Sequence, residues 1–252
     1  MADNIFFSRL DDMVRKAESG RITASSFLTP EEQQLAKKHL EYCAPTTQYA
    51  FFGGYPEAER KILVLFPDFA DESFVDTGEY FRAIIIDNGG YSEITHSACL
   101  GAIMNLSVER SSIGDICVIS KDRALIFVKN EIARFLMSSE GLVRVGREKV
   151  RLSEASQNDI ELIKREYEEI SVTVASTRVD CLVSEISCTS REKAKSAVLD
   201  GAVSKNHIKI FDPSEHFECG DTVSVKGKGK YTVTRTETTR KGRVRVTMLK
   251  YK

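Results

Sequence analysis

Six short segments between residues 81 and 150 constrain the fold of this chain more than any other feature of its sequence. Apolar runs of strand length occupy residues 81–86, 115–119, 124–128 and 142–150, and segments with helical periodicity occupy residues 96–106 and 130–137. The resulting order is β-α-β-β-α-β, which is typical of a ferredoxin-like sheet with two helices on one face. We therefore expect an α+β protein whose central domain, residues 76–152, has this layout.

The segments that flank the central domain carry mainly helical patterns. Apolar residues recur at helical spacing from Ile5 to Ala17, and Thr29, Pro30 and Glu32 form a capping box with proline at the first helical position. These patterns predict a mostly helical N-terminal domain at residues 1–75, which includes a buried strand at residues 61–66. The spacing of Ile160, Ile163, Tyr167 and Ile170 predicts a helical linker at residues 153–177. The boundary of the next domain is expected near Ala175.

Charge is distributed unevenly along the 252 residues. The net charge of the whole chain is −1, but residues 178–252 contain 16 Lys and Arg against 9 Asp and Glu, whereas residues 1–177 carry a net charge of −8. Residues 223–252 hold 10 basic residues and one acid, Glu237. Such a density attracts a polyanion, so nucleic acid or an anionic membrane surface is the expected partner of the C-terminal part.

The sequence offers little that would support catalysis, a cofactor or a metal. The six cysteines include no CxxC pair, and His96 has no carboxylate or nucleophile at a telling spacing. Gly227 and Gly229 form GxG without the helix that follows a phosphate-binding loop. No apolar run approaches a membrane span, and the first residues do not resemble an export signal. We expect a cytoplasmic protein with reduced thiols and no cofactor, metal or catalytic residue.

Residues 178–225 predict a compact module of helices and hairpins. Val179, Leu182, Val183 and Ile186 form one apolar stripe, and Ala194, Ala197 and Val198 form the inner face of a second helix, which Thr189 is expected to cap with Glu192 at capping-box spacing. Gly201 follows that helix where a positive φ is favoured. A hairpin about Asn206 and His207 and a strand at residues 222–225 complete the pattern.

This stretch resembles the αL-type RNA-binding module named after protein four of the bacterial small ribosomal subunit. The residues that carry the resemblance are Arg178-Val-Asp180, Ser190-Arg191, Ala194, Gly201-Ala-Val203, Asn206 and Gly220-Asp221-Thr-Val-Ser-Val225. The lysine-glycine run at residues 226–230 and the segment at residues 239–243 are similar to the tail of the YlmH family. That family resemblance predicts the αL module, with an extra β-hairpin, over residues 178–252.

Upstream segments resemble the YlmH family as well, so that nearly the whole chain is covered. They are Phe27-Leu-Thr-Pro30-Glu31, Gly53-Gly54-Tyr55, Ala58-Glu-Arg60, Leu100-Gly101-Ala102, Glu109-Arg110 and Ile113-Gly114-Asp115-Ile116. One departure concerns a triplet, since family members usually show His-Arg-Asp where this chain has His96-Ser97-Ala98. The resemblance implies a ribosome-associated protein that contacts large-subunit rRNA and tRNA and takes part in rescuing stalled, obstructed subunits.

Rigid cationic surfaces recognise mainly phosphate and 2′-hydroxyl geometry in structured RNA, so the hydroxyl, amide and cationic side chains of the C-terminal module are the candidate RNA contacts. They are Ser190, Arg191, Lys195, Lys205, Asn206, Lys226, Lys228, Lys230, Arg240, Lys241 and Arg243. Arg178 and Asp180 are expected to pair with each other at the start of the first helix. A solvated basic face, or a plain hairpin tip at Gly242, is the competing interpretation of the cations.

Two other classes of function stay open at this point. One is an RNA-modifying enzyme of the pseudouridine synthase or methyltransferase type, although neither the Gly-Arg-Leu-Asp context nor a glycine-rich turn at the start of a parallel sheet occurs. The other is a protein-interaction adaptor, for example in cell division, which would dock through the acidic part of the chain. The leading expectation is a monomeric, non-enzymatic protein that binds structured RNA and the large ribosomal subunit, without binding DNA or spanning a membrane.

Overall fold

The computed structural model describes residues 2–90, 92–164 and 166–251, with side chains from Ile5 onward. The chain divides into two compact units at residues 164 and 165, here called the N-terminal unit and the C-terminal unit. In the described part of the chain, no helix has both the length and the apolar character that crossing a bilayer requires. Mixed helices and antiparallel sheets in both units confirm the α+β class.

The first part of the N-terminal unit is built on a three-stranded sheet. Its elements are α1 (Ala2–Glu18), β1 (Thr23–Leu28), α2 (Pro30–Cys43), β2 (Gln48–Phe52) and β3 (Lys61–Phe66). The strand order is β1-β3-β2. The prediction of a mostly helical region was therefore wrong for β1 and β2. The capping box was confirmed, because the Thr29 hydroxyl accepts from the Glu32 amide at 3.2 Å and the Glu32 carboxylate accepts from the Thr29 amide at 2.6 Å.

The second part of the N-terminal unit contains the predicted β-α-β-β-α-β series. Its elements are β4 (Phe81–Asp87), α3 (His96–Met104), β5 (Ile113–Val118), β6 (Arg123–Lys129), α4 (Asn130–Leu136), β7 (Arg144–Val145), β8 (Glu148–Lys149), β9 (Arg151–Glu154) and the short helix α5 (Gln157–Glu161). The four-stranded antiparallel sheet has the order β5-β6-β4-β9. The single strand expected at residues 142–150 was wrong, since β7 and β8 form a separate hairpin and β9 supplies the last strand.

The apolar run of β6 explains why residues 1–164 form one unit. Ala124, Ile126 and Val128 pack with the inner sides of α3 and α4, whereas Leu125 and Phe127 point to the opposite face and pack with the three-stranded sheet. A central strand that is buried on both faces carries a continuous apolar run. The two sheets therefore share a core, and no boundary between compact units falls at the expected position between residues 75 and 76.

The C-terminal unit combines two helices with a six-stranded sheet. Its elements are β10 (Tyr167–Val174), α6 (Val179–Ser187), α7 (Arg191–Leu199), β11 (Val203–Lys205), β12 (Ile208–Lys209), β13 (Thr222–Val225), β14 (Gly229–Thr238) and β15 (Val244–Tyr251), and the strand order is β10-β15-β14-β13-β11-β12. The predicted helical linker was wrong over residues 167–174, because β10 pairs with β15 along its whole length. The predicted stripe was confirmed, since Val179, Leu182 and Val183 share a buried core with Ala194 and Val198.

Candidate RNA-binding surfaces

A buried carboxylate organises the start of both helices of the C-terminal unit. Asp180 lies in the first turn of α6 and is fully buried. Arg178 donates two hydrogen bonds to its carboxylate, at 3.0 and 2.9 Å, and Arg191 at the start of α7 donates a third at 3.1 Å. The Arg178–Asp180 pair agrees with the sequence expectation, whereas the Arg191 contact was not expected. Asp180 thereby holds two half-exposed guanidinium groups in fixed positions.

The contacts with Arg178 and Arg191 favour the ionised form of the Asp180 carboxyl. Burial by itself would raise its pKa, but the hydrogen bonds from Arg178 and Arg191 outweigh burial and lower the pKa from the usual 3.8 to about 2. The helix N-terminus favours a negative charge at the same place. At neutral pH, Asp180 is therefore an anion that is compensated on two sides.

Four of the other residues predicted to contact RNA form hydrogen bonds or ion pairs within the protein. Ser190 is the N-cap of α7, because its hydroxyl accepts from the Lys193 amide at 3.4 Å, so the expected cap at Thr189 was wrong. Lys195 forms an exposed ion pair with Glu192 on its own helix. Lys205 and Asn206 are the remaining two, and their partners lie far from them in the sequence.

Lys205 and Asn206 hold the β11–β12 hairpin to neighbouring segments. The Lys205 ammonium lies 2.7 Å from the Glu215 carboxylate and donates to the His216 carbonyl at 2.9 Å. Asn206 has a positive φ of 50°, its amide group donates to Asp221 at 2.7 Å, and its side-chain oxygen accepts from the Thr222 amide at 2.9 Å. These two residues are placed to support the hairpin, and their contact with RNA stays a prediction.

Replacing Asn206 by alanine is expected to destabilise the C-terminal unit by about 1–2 kcal/mol, because two hydrogen bonds and a residue type that tolerates a left-handed backbone are lost. Urea denaturation followed by circular dichroism measures this loss. Asn206→Gly keeps the backbone preference and loses only the hydrogen bonds, so it should fall between the wild type and Asn206→Ala. Equal unfolding midpoints for Asn206→Ala and the wild type would contradict the supporting role.

Lys226 and Lys230, two of the three lysines predicted at residues 226–230, line a groove of about 460 Å³ in the C-terminal unit. Its cationic lining comes from Lys209, Lys226 and Lys230, and glycines at positions 201, 227 and 229 line it as well. Lys209 was missed by the sequence analysis, because only the pairing of β12 with β11, and of β11 with β13, brings it to the same place. We call this feature the lysine groove.

The loop of the lysine groove is held in a defined shape. Gly227 and Gly229 have φ values of 74° and 112°, which L side chains rarely adopt. The hydroxyl of the buried Tyr231 donates to the Lys228 carbonyl at 2.7 Å, and the Lys230 ammonium lies 4.5 Å from the centre of the Tyr251 ring. In the described part of the chain, Lys226 and Lys228 are exposed and form no ion pair with an acidic side chain. A rigid loop thus presents uncompensated positive charge beside backbone that phosphates can approach.

The remaining predicted cations lie at the tip between β14 and β15. The Thr239 amide donates to the Arg243 carbonyl at 2.7 Å and closes this tip around Gly242. Arg240 and Lys241 are exposed, and Arg243 donates to the Thr173 carbonyl at 3.1 Å. The structure brings these three together with each other and does not place them in the lysine groove.

A second groove, of about 510 Å³, lies in the N-terminal unit between α3 and the β7–β8 hairpin. Ser97 and Ala98 line it from the first turn of α3, and they are the two positions at which this chain differs from the family's usual His-Arg-Asp triplet. Arg144 and Gly146 line it from the hairpin. The sequence analysis placed no functional residue here. We call this feature the α3 groove.

Comparisons with known proteins decide the family, and one of them matches the part of the chain that contains the α3 groove. A family model described as "Putative RNA-binding domain in YlmH" matches residues 85–159, which contain the α3 groove. The chain is 31% identical over 242 residues to ribosome-associated protein quality control protein P2 of Bacillus subtilis (strain 168), covering 93% of this chain and 90% of that protein. The chain belongs to the YlmH family. The resemblance found in the sequence is thereby confirmed.

A solved structure of another YlmH protein shows the same fold over part of the chain. The cell division protein ylmH from Streptococcus pneumoniae superposes with a TM-score of 0.53 at 21% sequence identity, covering 63% of this chain and 94% of that one. At this identity the similarity concerns the fold alone. The family match adds a region that the sequence analysis had left out, since it assigned RNA contacts to the C-terminal module only.

Proposed function

We propose that this YlmH-family chain is a non-enzymatic protein that binds structured RNA and associates with the large ribosomal subunit in the bacterial cytoplasm. The observation that carries the proposal is the loop of the lysine groove, in which Lys226 lines the groove and Lys228 lies beside it. Both lysines are exposed and, among the described residues, form no ion pair with an acid. A protein whose net charge is −1 gains nothing in solubility from concentrating its cations at one place, whereas a polyanion is attracted to them.

The names and descriptions of similar proteins support the RNA and ribosome parts of the proposal. The Bacillus subtilis relative is named for ribosome-associated protein quality control, and the matching family model is described as "Putative RNA-binding domain in YlmH". We carry both to this chain as parts of the proposal. The finer parts are contact with rRNA and tRNA, action on stalled large subunits, a monomeric state and a ferredoxin-like central layout, which the sheet order β5-β6-β4-β9 supports.

The mode of recognition follows from the chemistry of the groove. Ammonium groups and glycine backbone recognise phosphates rather than base edges, and A-form RNA hides the major-groove edges that could specify sequence. We therefore expect selection by the shape of the folded RNA. Because each neutralised phosphate releases counterions, the affinity should fall steeply as salt concentration rises.

Charge reversal in the lysine groove tests the proposal. Lys226→Glu combined with Lys228→Glu is expected to weaken binding of fluorescently labelled bulk tRNA by about 10–100-fold at moderate salt, because two phosphate contacts are replaced by repulsion. Co-sedimentation with purified large ribosomal subunits should fall in parallel. Arg191 is a poor target for this test, because a glutamate there would lie against the buried Asp180 carboxylate.

The matched control reverses the same number of charges on the helices of the N-terminal unit. Lys16 on α1 and Lys38 on α2 are exposed, so Lys16→Glu with Lys38→Glu changes the net charge equally. We expect this control to bind tRNA within about twofold of the wild type. If the groove variant and the control both retain wild-type binding and sedimentation, the lysine groove is not the RNA site.

A further inference from the structure

An exposed phenylalanine lies at the edge of the lysine groove. Phe211 comes soon after β12 and is 59% exposed. Its ring lies against Gly201, one of the residues that line the groove, because a Cβ atom built at Gly201 would be 2.9 Å from Cε1 of Phe211. Gly201 has a φ of 66°, which L side chains rarely adopt, so the ring can approach the backbone there. Most of the surface of Phe211 nevertheless stays open to solvent.

The backbone on both sides of Phe211 is held in place. The Ile210 amide donates to the Val203 carbonyl at 3.1 Å, and the Ile210 side chain is buried. On the other side, Oδ1 of Asp212 accepts from the Ser214 amide at 2.8 Å and from the Ser214 hydroxyl at 2.6 Å. A phenylalanine side chain has only two rotatable bonds, so a ring on fixed backbone can hold a ligand at a small cost in conformational entropy.

The fold makes little use of this ring. Ile210 belongs to the buried core of the C-terminal unit, whereas Phe211 does not pack in that core. Among the residues that the structure describes, no other aromatic ring stacks on Phe211. Phe211 therefore offers an aromatic face beside the lysine groove that no internal contact covers.

The cations of the groove indicate which ligand suits such a ring. Lys209 and Lys226 line the groove, both are exposed and, in the described part of the chain, neither pairs with an acid. An apolar protein surface that covered Phe211 would take water from these ammonium groups without replacing it. A nucleotide has a phosphate for the lysines and a flat base for the ring. In a paired stem the base faces are stacked on each other, so only an unpaired nucleotide can offer its base.

We propose that Phe211 is a stacking platform for one unpaired base of an RNA whose backbone lies in the lysine groove. The inference rests on the proposed function and narrows its ligand to structured RNA with a bulged, looped or terminal nucleotide beside a stem. Stacking tolerates any base, because every base has a π face. The lysines thus give affinity for RNA in general, and Phe211 distinguishes a stem with an unpaired nucleotide from a uniform stem.

Phe211→Ala in the full chain tests the platform with two fluorescently labelled RNAs, a blunt-ended duplex and the same duplex with one bulged adenosine. The wild type should prefer the bulged duplex. Phe211→Ala should weaken binding of the bulged duplex by about 5–100-fold, the range for loss of one base–aromatic stack, and should bind the blunt duplex within about twofold of the wild type. The slope of log affinity against log salt should not change, because no phosphate contact is lost. Phe211→Tyr keeps the ring face and should keep the preference.

Phe69→Ala is the matched control. Phe69 is 75% exposed in the N-terminal unit, and its ring likewise lies near a glycine of positive φ, Gly20. This control should bind both duplexes like the wild type. Phe211→Ala should unfold at the wild-type thermal midpoint, since it removes an exposed side chain outside the core.

The outcomes separate this inference from the proposed function. If the wild type binds both duplexes equally, or Phe211→Ala keeps wild-type affinity for the bulged duplex, Phe211 is not a base platform and the lysine groove proposal stands. If Phe211→Ala binds the bulged duplex normally but no longer co-sediments with large ribosomal subunits, the ring docks a protein instead. If the wild type binds neither duplex nor large subunits, the proposed function itself fails.

Discussion

Replacing Asp180 by alanine is expected to lower the free energy of unfolding of the C-terminal unit by about 2–4 kcal/mol. The carboxylate is fully buried and accepts hydrogen bonds from Arg178 and Arg191, so its removal leaves two guanidinium groups without the anion that positions them. Both arginines are partly exposed and can turn to water, which keeps the expected loss at the lower end of values for broken buried pairs. Urea denaturation at neutral pH measures the difference.

The same network predicts a defined pH dependence. The pKa of Asp180 is lowered from 3.8 to about 2, so its stabilisation is fully present above about pH 4 and is lost as the pH falls towards 2. Asp180→Asn should remove this acid-dependent part while keeping the shape of the side chain. Glu192→Ala is the control, since it removes the exposed partner of Lys195 on the neighbouring helix and should cost less than about 1 kcal/mol. Equal unfolding curves for Asp180→Ala and Glu192→Ala would contradict a stabilising role of the buried network.

The contacts around Asp180 illustrate which features the sequence could predict. The apolar stripe of α6 and the Arg178–Asp180 pair depend on residues a few positions apart, and both were found. The contact of Arg191 depends on how α7 packs against α6, which spacing along the chain does not encode. For the same reason, the sequence analysis could not recognise that Lys205 pairs with Glu215.

The missed strands have a related cause. Residues 23–26 of β1 are Thr-Ala-Ser-Ser, which lack the apolar alternation that predicts a strand, and β1 exists because it pairs with the apolar β3. The spacing of Tyr167 and Ile170 also fits a helix, but pairing with β15 selects a strand. Tertiary pairing outweighs local preference in both segments.

The α3 groove was missed because its lining residues on α3 and at residues 141–146 come together only through tertiary packing. Averaging charge over long segments also hid the exposed Arg144, Arg147 and Lys149 of the β7–β8 hairpin, since residues 85–159 contain nearly equal numbers of basic and acidic residues. The lysine groove was found because its cations are clustered in the sequence as well as in space. Lys209, which reaches the groove through strand pairing, was not.

Gly54→Ala is expected to destabilise the N-terminal unit by about 3 kcal/mol or more. In the sequence, Gly53 and Gly54 were noted as part of the resemblance to the YlmH family, and the packing that requires Gly54 was not predicted. Gly54 has a φ of 91°, and a Cβ atom there would lie 2.2 Å from Cε1 of Phe127. Strain at a left-handed residue and overlap with a buried ring add to each other.

The ring of Phe127 has little freedom to move away from such a methyl group. It is 1% exposed and stacks on Tyr55 at 5.5 Å between ring centres, and the Tyr55 hydroxyl donates to Asp115 at 2.7 Å. Gly101→Ala is the matched control, because its Cβ meets open space on a helix and should stabilise the unit by about 0.5–1 kcal/mol. In a Phe127→Leu background, Gly54→Ala should cost less than in the wild type, because part of the overlap is gone. If Gly54→Ala has the same denaturation midpoint as the wild type, the close approach of Gly54 to the Phe127 ring does not require a glycine at this position.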